Sequence, residues 1–433
     1  MSAPPPSPFP ALRHRNFRLF FFGQGTSLVG TWMQNVAQGW LVLQLTNSAY
    51  YVGLVSALGS LPVLLVSLPA GVFADRSHKR RVVIATQSLS MVQAFAIAAL
   101  IWVHRIELWH VAAAAVFLGL VNAFDIPTRQ SFIVEMVGKD DLPNAIALNS
   151  SAVNSARVLG PAVAGFLVAA VGEGWCFVLN ALSFLAVLLG LALIRTPPRP
   201  ASAGRGSALA EIRDAWRFVT GAPVVRALLL LLGLVSVMGM PYAVLMPIFA
   251  DRILGGGSRG LGILLGATGV GALAAALVLA YREGPRGLGR WVATAATGFG
   301  LSLVAFSASR SFWLSAAVLL LCGFFMMMQM AASNTLLQVL TPDALRGRVM
   351  AAYSMMFMGV APFGALGAGA AADRLGAPLA VAIGGVAAIG GGLFFAVRLP
   401  RLRVSARALL AAQEHVGGDP PEAATPAAPL ARA

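Results

Sequence analysis

The chain reads as an all-α polytopic membrane protein, with twelve transmembrane helices arranged as two six-helix bundles. Three observations predict this. Hydrophobic residues make up 58% of the 433 and charged residues only 11%, whereas a soluble domain carries about 25% charge because its surface must face water. The apolar residues gather in runs long enough to cross about 30 Å of hydrocarbon, which takes roughly 20 helical residues. The turns between these runs alternate between basic and nearly neutral.

The runs fall near 17–43, 51–74, 82–103, 108–128, 152–172 and 175–195, then near 226–249, 260–281, 291–308, 311–331, 350–372 and 376–397. They are Ala/Leu-rich and lack period-two alternation, so helices are expected and not barrel strands. A helix also satisfies its own backbone hydrogen bonds in lipid. Ahead of them, 1–16 is a Pro-rich cytoplasmic segment with Arg13 and Arg15. The first run contains Gln24, Asn35 and Gln38, too polar and too long for a signal-peptide core, and is expected to stay as a span. The two bundles are then 17–195 and 226–397. Between them, 196–225 reads as a flexible connector with an amphipathic helix through Ile212, Trp216 and Phe218, lying at the membrane interface. From 398 to 433 the chain turns Arg-, Ala- and Pro-rich and is expected to be a disordered cytoplasmic tail.

Charge orients the chain. With the N-terminus inside, 25 of the 31 Lys and Arg lie in cytoplasmic segments and five outside, at 105, 252, 259, 310 and 374, with Arg157 left within a span. The positive-inside bias then predicts cytoplasmic termini in a cell membrane. The net charge of +15 is topogenic, and no nucleic-acid partner is expected. A faint repeat supports two halves: 134–150 aligns with 337–353 at an offset of 203, with Asp140 on Asp343 and Leu142 on Leu345. Parallel repeats of six spans suit two bundles enclosing one path.

Between the second and third runs stands Gly71-Val-Phe-Ala-Asp75-Arg76-Ser-His-Lys79-Arg80-Arg81. Glycine permits close helix approach. An acid at a partly dehydrated helix end pairs with basic groups more strongly than in open water. Topogenic charge alone leaves Asp75 unexplained. This pattern matches the signature of the major facilitator superfamily, which the chain resembles over about residues 12–400. The first span from Gly23 to Gln34, with segments 40–48, 157–165 and 334–350, resembles the subgroup that includes the enterobactin exporter and drug exporters. The resemblance implies the major facilitator fold and a secondary exporter that exchanges siderophores, macrolides or other amphipaths for protons. It assigns Gly71, Asp75, Arg76, Lys79 and Arg80 to a gate that closes the cytoplasmic side. The loop after the eighth run, 280–286, lacks an Asp-Arg pair, so the better-defined latch is expected in the first half.

Several polar groups interrupt the runs. Asp125 is an intramembrane acid and so a functional candidate by default. Two roles stay open for it: a proton-coupling group, or a gating or structural partner of Arg129 or Arg157. Pro127 is expected to interrupt or end that helix. Arg157 lies one short connection away, so a pair with Asp125 across the fourth and fifth spans is possible. State-dependent gating, substrate contact and static structure all fit Arg157. Gln24, Asn35 and Gln38 recur near whole helical turns and are expected to face one interior surface, as substrate-binding groups along a polar path or else as interhelical hydrogen-bond partners. Gln87, Gln93 and Asn180 are expected to support packing, because the resemblance puts their helices outside the central path. Met326, Gln329 and Met330, with Phe325 and Tyr242, suggest an adaptable cavity for a bulky amphipath, or else ordinary helix packing.

Other chemistry is not indicated. Cys176 and Cys322 imply no disulfide or metal framework, and the five His show no ligand spacing. Gly255-Gly-Gly257 is not followed by Lys-Ser/Thr, as a phosphate loop requires. No cofactor, metal or enzymatic activity is expected. The preferred reading is a proton-coupled exporter of an amphipathic small molecule working by alternating access, solvated by membrane lipids. A uniporter or importer, or a non-transporting receptor or scaffold, are the alternatives.

Overall fold

The computed structural model describes residues 9–138, 140–194, 217–281 and 287–417. The connector from 195 to 216, with Ile212 and Trp216, and the tail from 418 lie outside the described residues. The first half contains α1 (Arg15–Thr46), α2 (Ala49–Arg76), α3 (Lys79–Trp102), α4 (Leu108–Val137), α5 (Leu142–Val171) and α6 (Glu173–Leu193). In the second, α7 runs from Pro223 to Ile253 through two π turns, Val235–Gly239 and Phe249–Ile253. It is followed by α8 (Gly257–Ala280), α9 (Leu288–Ala308) and α10 (Phe312–Leu340). α11 consists of Asp343–Ser354, a π turn at Met355–Gly359, and Ala361–Leu375; α12 is Ala377–Gly417.

Eleven of these helices are long and apolar enough to cross a membrane. α1 has the length, at 32 residues, but Gln24, Gln34, Asn35 and Gln38 dilute its apolarity. Large apolar side chains point outward: Leu189 is 66% exposed, Phe166 57% and Val397 80%. Such a surface needs lipid as its solvent.

The helices overrun the apolar runs that reveal them. α4 continues through Pro127 to Val137, where an end or interruption is expected. A proline removes one backbone donor, and a membrane helix tolerates this when nearby hydroxyls share in the bonding. Here Thr128 Oγ1 donates to the Phe124 carbonyl at 2.6 Å and Ser131 Oγ to that of Pro127 at 3.0 Å. α12 likewise passes Pro400 to Gly417, so the segment expected to loosen at 398 is helical over its first part.

The helices up to Leu193 pack mainly on one another, as do those from Pro223 onward; α2 against α11 and α5 against α8 are the main contacts between the groups. Glycines bring these pairs together. A Cβ on Gly53 would lie 3.1 Å from the Gly369 Cα, and one on Gly165 would lie 2.6 Å from the Gly262 nitrogen and 2.8 Å from the Ser258 carbonyl. Leu64 meets Gly359 and Val158 meets Gly269. Further along α2, a Cβ on Gly71 would meet nothing within 4 Å. Cross-group packing of the described residues therefore concentrates toward the end bearing the 47–48 and 376 turns.

Candidate functional site

Three polar features stand out against this apolar background. The first lies inside the first half. Asp125, on α4, is 2% exposed. Its Oδ1 accepts from Thr86 Oγ1 at 2.8 Å and Gln87 Nε2 at 3.0 Å, both on α3. Its Oδ2 lies 3.4 Å from Arg129 Nε, one turn further along α4. Farther up, Gln34 Nε2 donates to Gln93 Oε1 at 3.2 Å, and Asn180 Nδ2 donates to Gln34 Oε1 at 2.6 Å. All of these groups but Thr86 border one cavity of about 60 Å³, together with Gln24, Ser27 and Ser90, which has room for a few waters. Gln24 Oε1, Gln87 Oε1 and Gln93 Nε2 are buried there without a partner. Unpaired acceptors and an unpaired donor in one polar cavity suit water or a moving proton, and apolar content would leave them costly.

This arrangement revises the expectations for the polar residues. Gln24 reaches the cavity, whereas Asn35 and Gln38 are not among its lining residues, and Asn35 is exposed. Gln87, Gln93 and Asn180, expected only to support packing, are part of the chamber itself. Asp125 and Arg157 do not pair, because neighbouring spans in sequence diverge in space: α4 packs on α2 and α3, while α5 packs on α1 and α8. Asp125 takes Arg129 instead. The Arg157 guanidinium sits 5.2 Å from the centroid of the Trp32 ring.

The second feature closes one end between the halves. Ser48 Oγ donates to Asp373 Oδ2 at 2.7 Å, and the Ala49 backbone N–H donates to Asp373 Oδ1 at 2.8 Å. A carboxylate at the end of α11 thus satisfies the first turn of α2, where unpaired N–H groups and the helix dipole favour negative charge. Beside it, Arg252 of α7 donates to the carbonyl of Asn47 at 2.7 Å and to its side-chain oxygen. Asn47 ends α1 in the left-handed region, at φ 53°, which asparagine tolerates better than most residues. Sequence reasoning missed Asp373, although a signal was available: Gly369-Ala-Ala-Ala-Asp373-Arg374 repeats the spacing of Gly71-Val-Phe-Ala-Asp75-Arg76.

The third feature is the basic loop between α2 and α3. Lys79 Nζ donates to Glu135 Oε1 of α4 at 2.7 Å. Arg80 donates to the carbonyls of Leu191 at 2.7 Å and Ala192 at 3.0 Å, covering the C-terminal end of α6. These contacts stay within the first half. The side chains of Asp75 and Arg76 lie outside the described residues. Gly71 was expected to allow a close approach, yet a Cβ there would meet nothing within 4 Å; the α4 contact at this end of α2 is made by Phe73, edge-on to Phe124 at 5.6 Å.

In the second half Tyr242, Met326, Gln329 and Met330 are all under 9% exposed. Gln329 Nε2 donates to Ser333 Oγ at 3.4 Å, and its Oε1 is unpaired. Phe325 packs over Gly298 of α9, and Tyr242 of α7 stands edge-on to Phe299 of α9, with ring centroids 6.1 Å apart. Among the described residues no group of three or more His, Cys, Asp or Glu is placed to hold a metal ion.

Known proteins share this architecture. The chain is 26% identical over 380 residues to the staphyloferrin A transporter of Staphylococcus aureus, covering 86% of this chain and 93% of that protein. It is 29% identical over 375 residues to the multidrug efflux pump Tap of Mycolicibacterium fortuitum, covering 83% and 89%. It is 26% identical over 364 residues to the enterobactin exporter EntS of Shigella boydii, covering 82% and 86%. Two solved structures share the fold at low identity. One is an inward-facing, unoccupied bacterial homologue of the lysosomal transporter Spinster, with TM-score 0.67, 15% identity and 94% and 98% of the two chains covered. The other is a POT family transporter in complex with 5-aminolevulinic acid, with TM-score 0.72, 12% identity and 90% and 96% covered. The family model described as transmembrane secretion effector matches residues 6–420, so this chain belongs to that family of major facilitator transporters and is not an enzyme.

Proposed function

We propose that the protein is a proton-coupled exporter of amphipathic small molecules, working by alternating access between two six-helix bundles, 17–195 and 226–397. The twelfth crossing is α1, whose polar face is sheltered from lipid by α5 and α6. The basic turns support a cell-membrane orientation with both termini on the cytoplasmic side, in which the end latched by Asp373 is external and the opposite end faces inward. Exposed Trp102, Trp109, Trp175 and Trp313 cluster at the external turns, where amphipathic rings suit the lipid headgroups. Export, as opposed to uptake, draws on the efflux pump and the enterobactin exporter among the relatives.

The observation that carries proton coupling is the chamber around Asp125. One buried carboxylate there holds two donors of α3 and one Arg of its own helix. Protonation removes the charge that organises all three, and this shifts the conformational balance if the two states bind the proton unequally. The cytoplasmic gate of Gly71, Asp75, Arg76, Lys79 and Arg80 closes in the opposite state. The test is efflux from proteoliposomes across a chemically mixed panel, with and without a proton gradient. Gradient-dependent efflux that is lost in a folded Asp125→Asn protein supports the reading. Unchanged dependence removes Asp125 from coupling, and equal movement after collapse of the gradient makes the protein a facilitator.

A further inference from the structure

Arg157 is the charge that the proposed coupling and gating do not use. It stands on α5 between the halves: Trp32 of α1 lies under its guanidinium, and Tyr242 of α7 and Tyr353 of α11 are close enough to act on it electrostatically. Gly160, one turn along α5, makes this possible. A Cβ there would lie 2.9 Å from the Val29 carbonyl and 3.0 Å from the Met33 nitrogen, so glycine lets α5 close on α1 and bring Trp32 beneath Arg157.

The guanidinium has no acidic counterpart among the described residues. Among the described residues no carboxylate lies within salt-bridge distance of Arg157 and no hydrogen bond to it is formed. Its Nε is buried and unpaired, whereas its terminal nitrogens are not among the buried unpaired atoms and remain accessible. The nearby rings are held by other groups. The Tyr242 hydroxyl interacts with Thr268 and Cys322, and the Tyr353 hydroxyl with Asn334 and, at 3.4 Å, the Met330 carbonyl. The result is an unneutralised cation with a fixed donor fork, set among aromatic rings at the meeting point of four helices from both halves. A cation inside a membrane protein without a counter-charge is costly, and a planar guanidinium matches a carboxylate or phosphate bidentately.

We propose that Arg157 is the anion-recognition group of the substrate path, and that the transported amphipath carries an acidic group beside an aromatic or apolar body. The acid completes the Arg157 fork and the body lies against Trp32 and Tyr353. This names the substrate class of the transporter proposed above and rests on that reading. Because both halves contribute, anion binding also ties α1 and α5 to α7 and α11.

The test uses two probes of one shape, 2-naphthoate and its uncharged amide 2-naphthamide, titrated against the purified full chain in lipid nanodiscs by calorimetry. Binding needs neither export direction nor proton coupling, so its outcome is independent of the flux assay. The carboxylate is expected to bind about tenfold tighter than the amide or better, the effect of charge-assisted hydrogen bonds to a desolvated fork. Arg157→Gln is expected to abolish the preference, and Arg157→Lys, which keeps charge without the fork, to retain part of it. Equal affinity for both probes, or no naphthoate binding at its solubility limit, overturns the proposal. So does a preference that persists in a folded Arg157→Gln protein, shown by an unchanged melting profile.

Discussion

Removing the Asp373 carboxylate should open the sealed end. Asp373→Ala deletes two hydrogen bonds that exist only when the halves meet there, from Ser48 Oγ at 2.7 Å and Ala49 N–H at 2.8 Å. Hydrogen bonds to a charged acceptor contribute about 1.5–3 kcal/mol each, but this carboxylate is exposed and solvent competes for it, so about 1 kcal/mol each is the better scale, close to that of a helix cap. The expected shift is about 2 kcal/mol, roughly a 30-fold change in the ratio of closed to open at this end. Spin labels at Val103→Cys and Trp313→Cys report it; both positions are well exposed, at 62% and 71%, and lie on opposite halves. The native thiols Cys176 and Cys322 are buried. In Asp373→Ala the long-distance population should grow, and Ser48→Ala should give about half the effect. A distance distribution identical to that of the unmodified protein, in a sample that remains folded, refutes the latch.

Two further outcomes follow from close packing and from the buried network. Gly165→Val places a Cβ within 2.6 Å of the Gly262 nitrogen and 2.8 Å of the Ser258 carbonyl, so α5 and α8 must separate, at a cost of about 1–3 kcal/mol; the same label pair should lengthen, and transport should fall. An unchanged distance would show that these helices do not set closure. Asn180→Leu takes away the donor that Gln34 Oε1 accepts at 2.6 Å and leaves that buried oxygen unpaired, at about 1–3 kcal/mol. Its melting temperature in detergent should drop well below that of the unmodified protein, and equal melting would mean that water replaces the amide without loss.

What the sequence revealed depended on whether the information was local. Hydropathy located the spans because a window of about 20 residues carries that signal by itself. It stopped short where helices leave the hydrocarbon, as with α4 beyond 128 and α5 before 152, because their outer turns are helical without being apolar. Pairing was less legible. Asp125 and Arg157 are separated by one short connection, yet α4 and α5 turn to different neighbours, and Arg129 at i+4 was the nearer partner. Gln24, Gln34, Gln87, Gln93 and Asn180 are each visible as polar residues in apolar runs. Their convergence on one chamber belongs to the packing of α1, α3, α4 and α6, which no single window contains.

The twin motifs at 71–76 and 369–374 suggest why neither end is locked. They sit at the C-terminal ends of α2 and α11, the two helices that face each other across the halves. At the sealed end the Asp373 carboxylate caps the first turn of α2. In the opposite state the family resemblance gives Asp75 the corresponding work at the other end of the same helix pair. A change from 1:99 to 99:1 in a two-state balance takes about 5.5 kcal/mol, and a latch of about 2 kcal/mol falls well short of it. In the proposed mechanism the remainder comes from the glycine contacts, the proton and the substrate. A carboxylate latch strong enough to hold one state alone would also resist reversal by a ligand of ordinary affinity. In the proposed mechanism a weak, exposed cap at the Asp373 end, with the larger differences assigned to Asp125 and Arg157 in the interior, lets binding events decide which end opens.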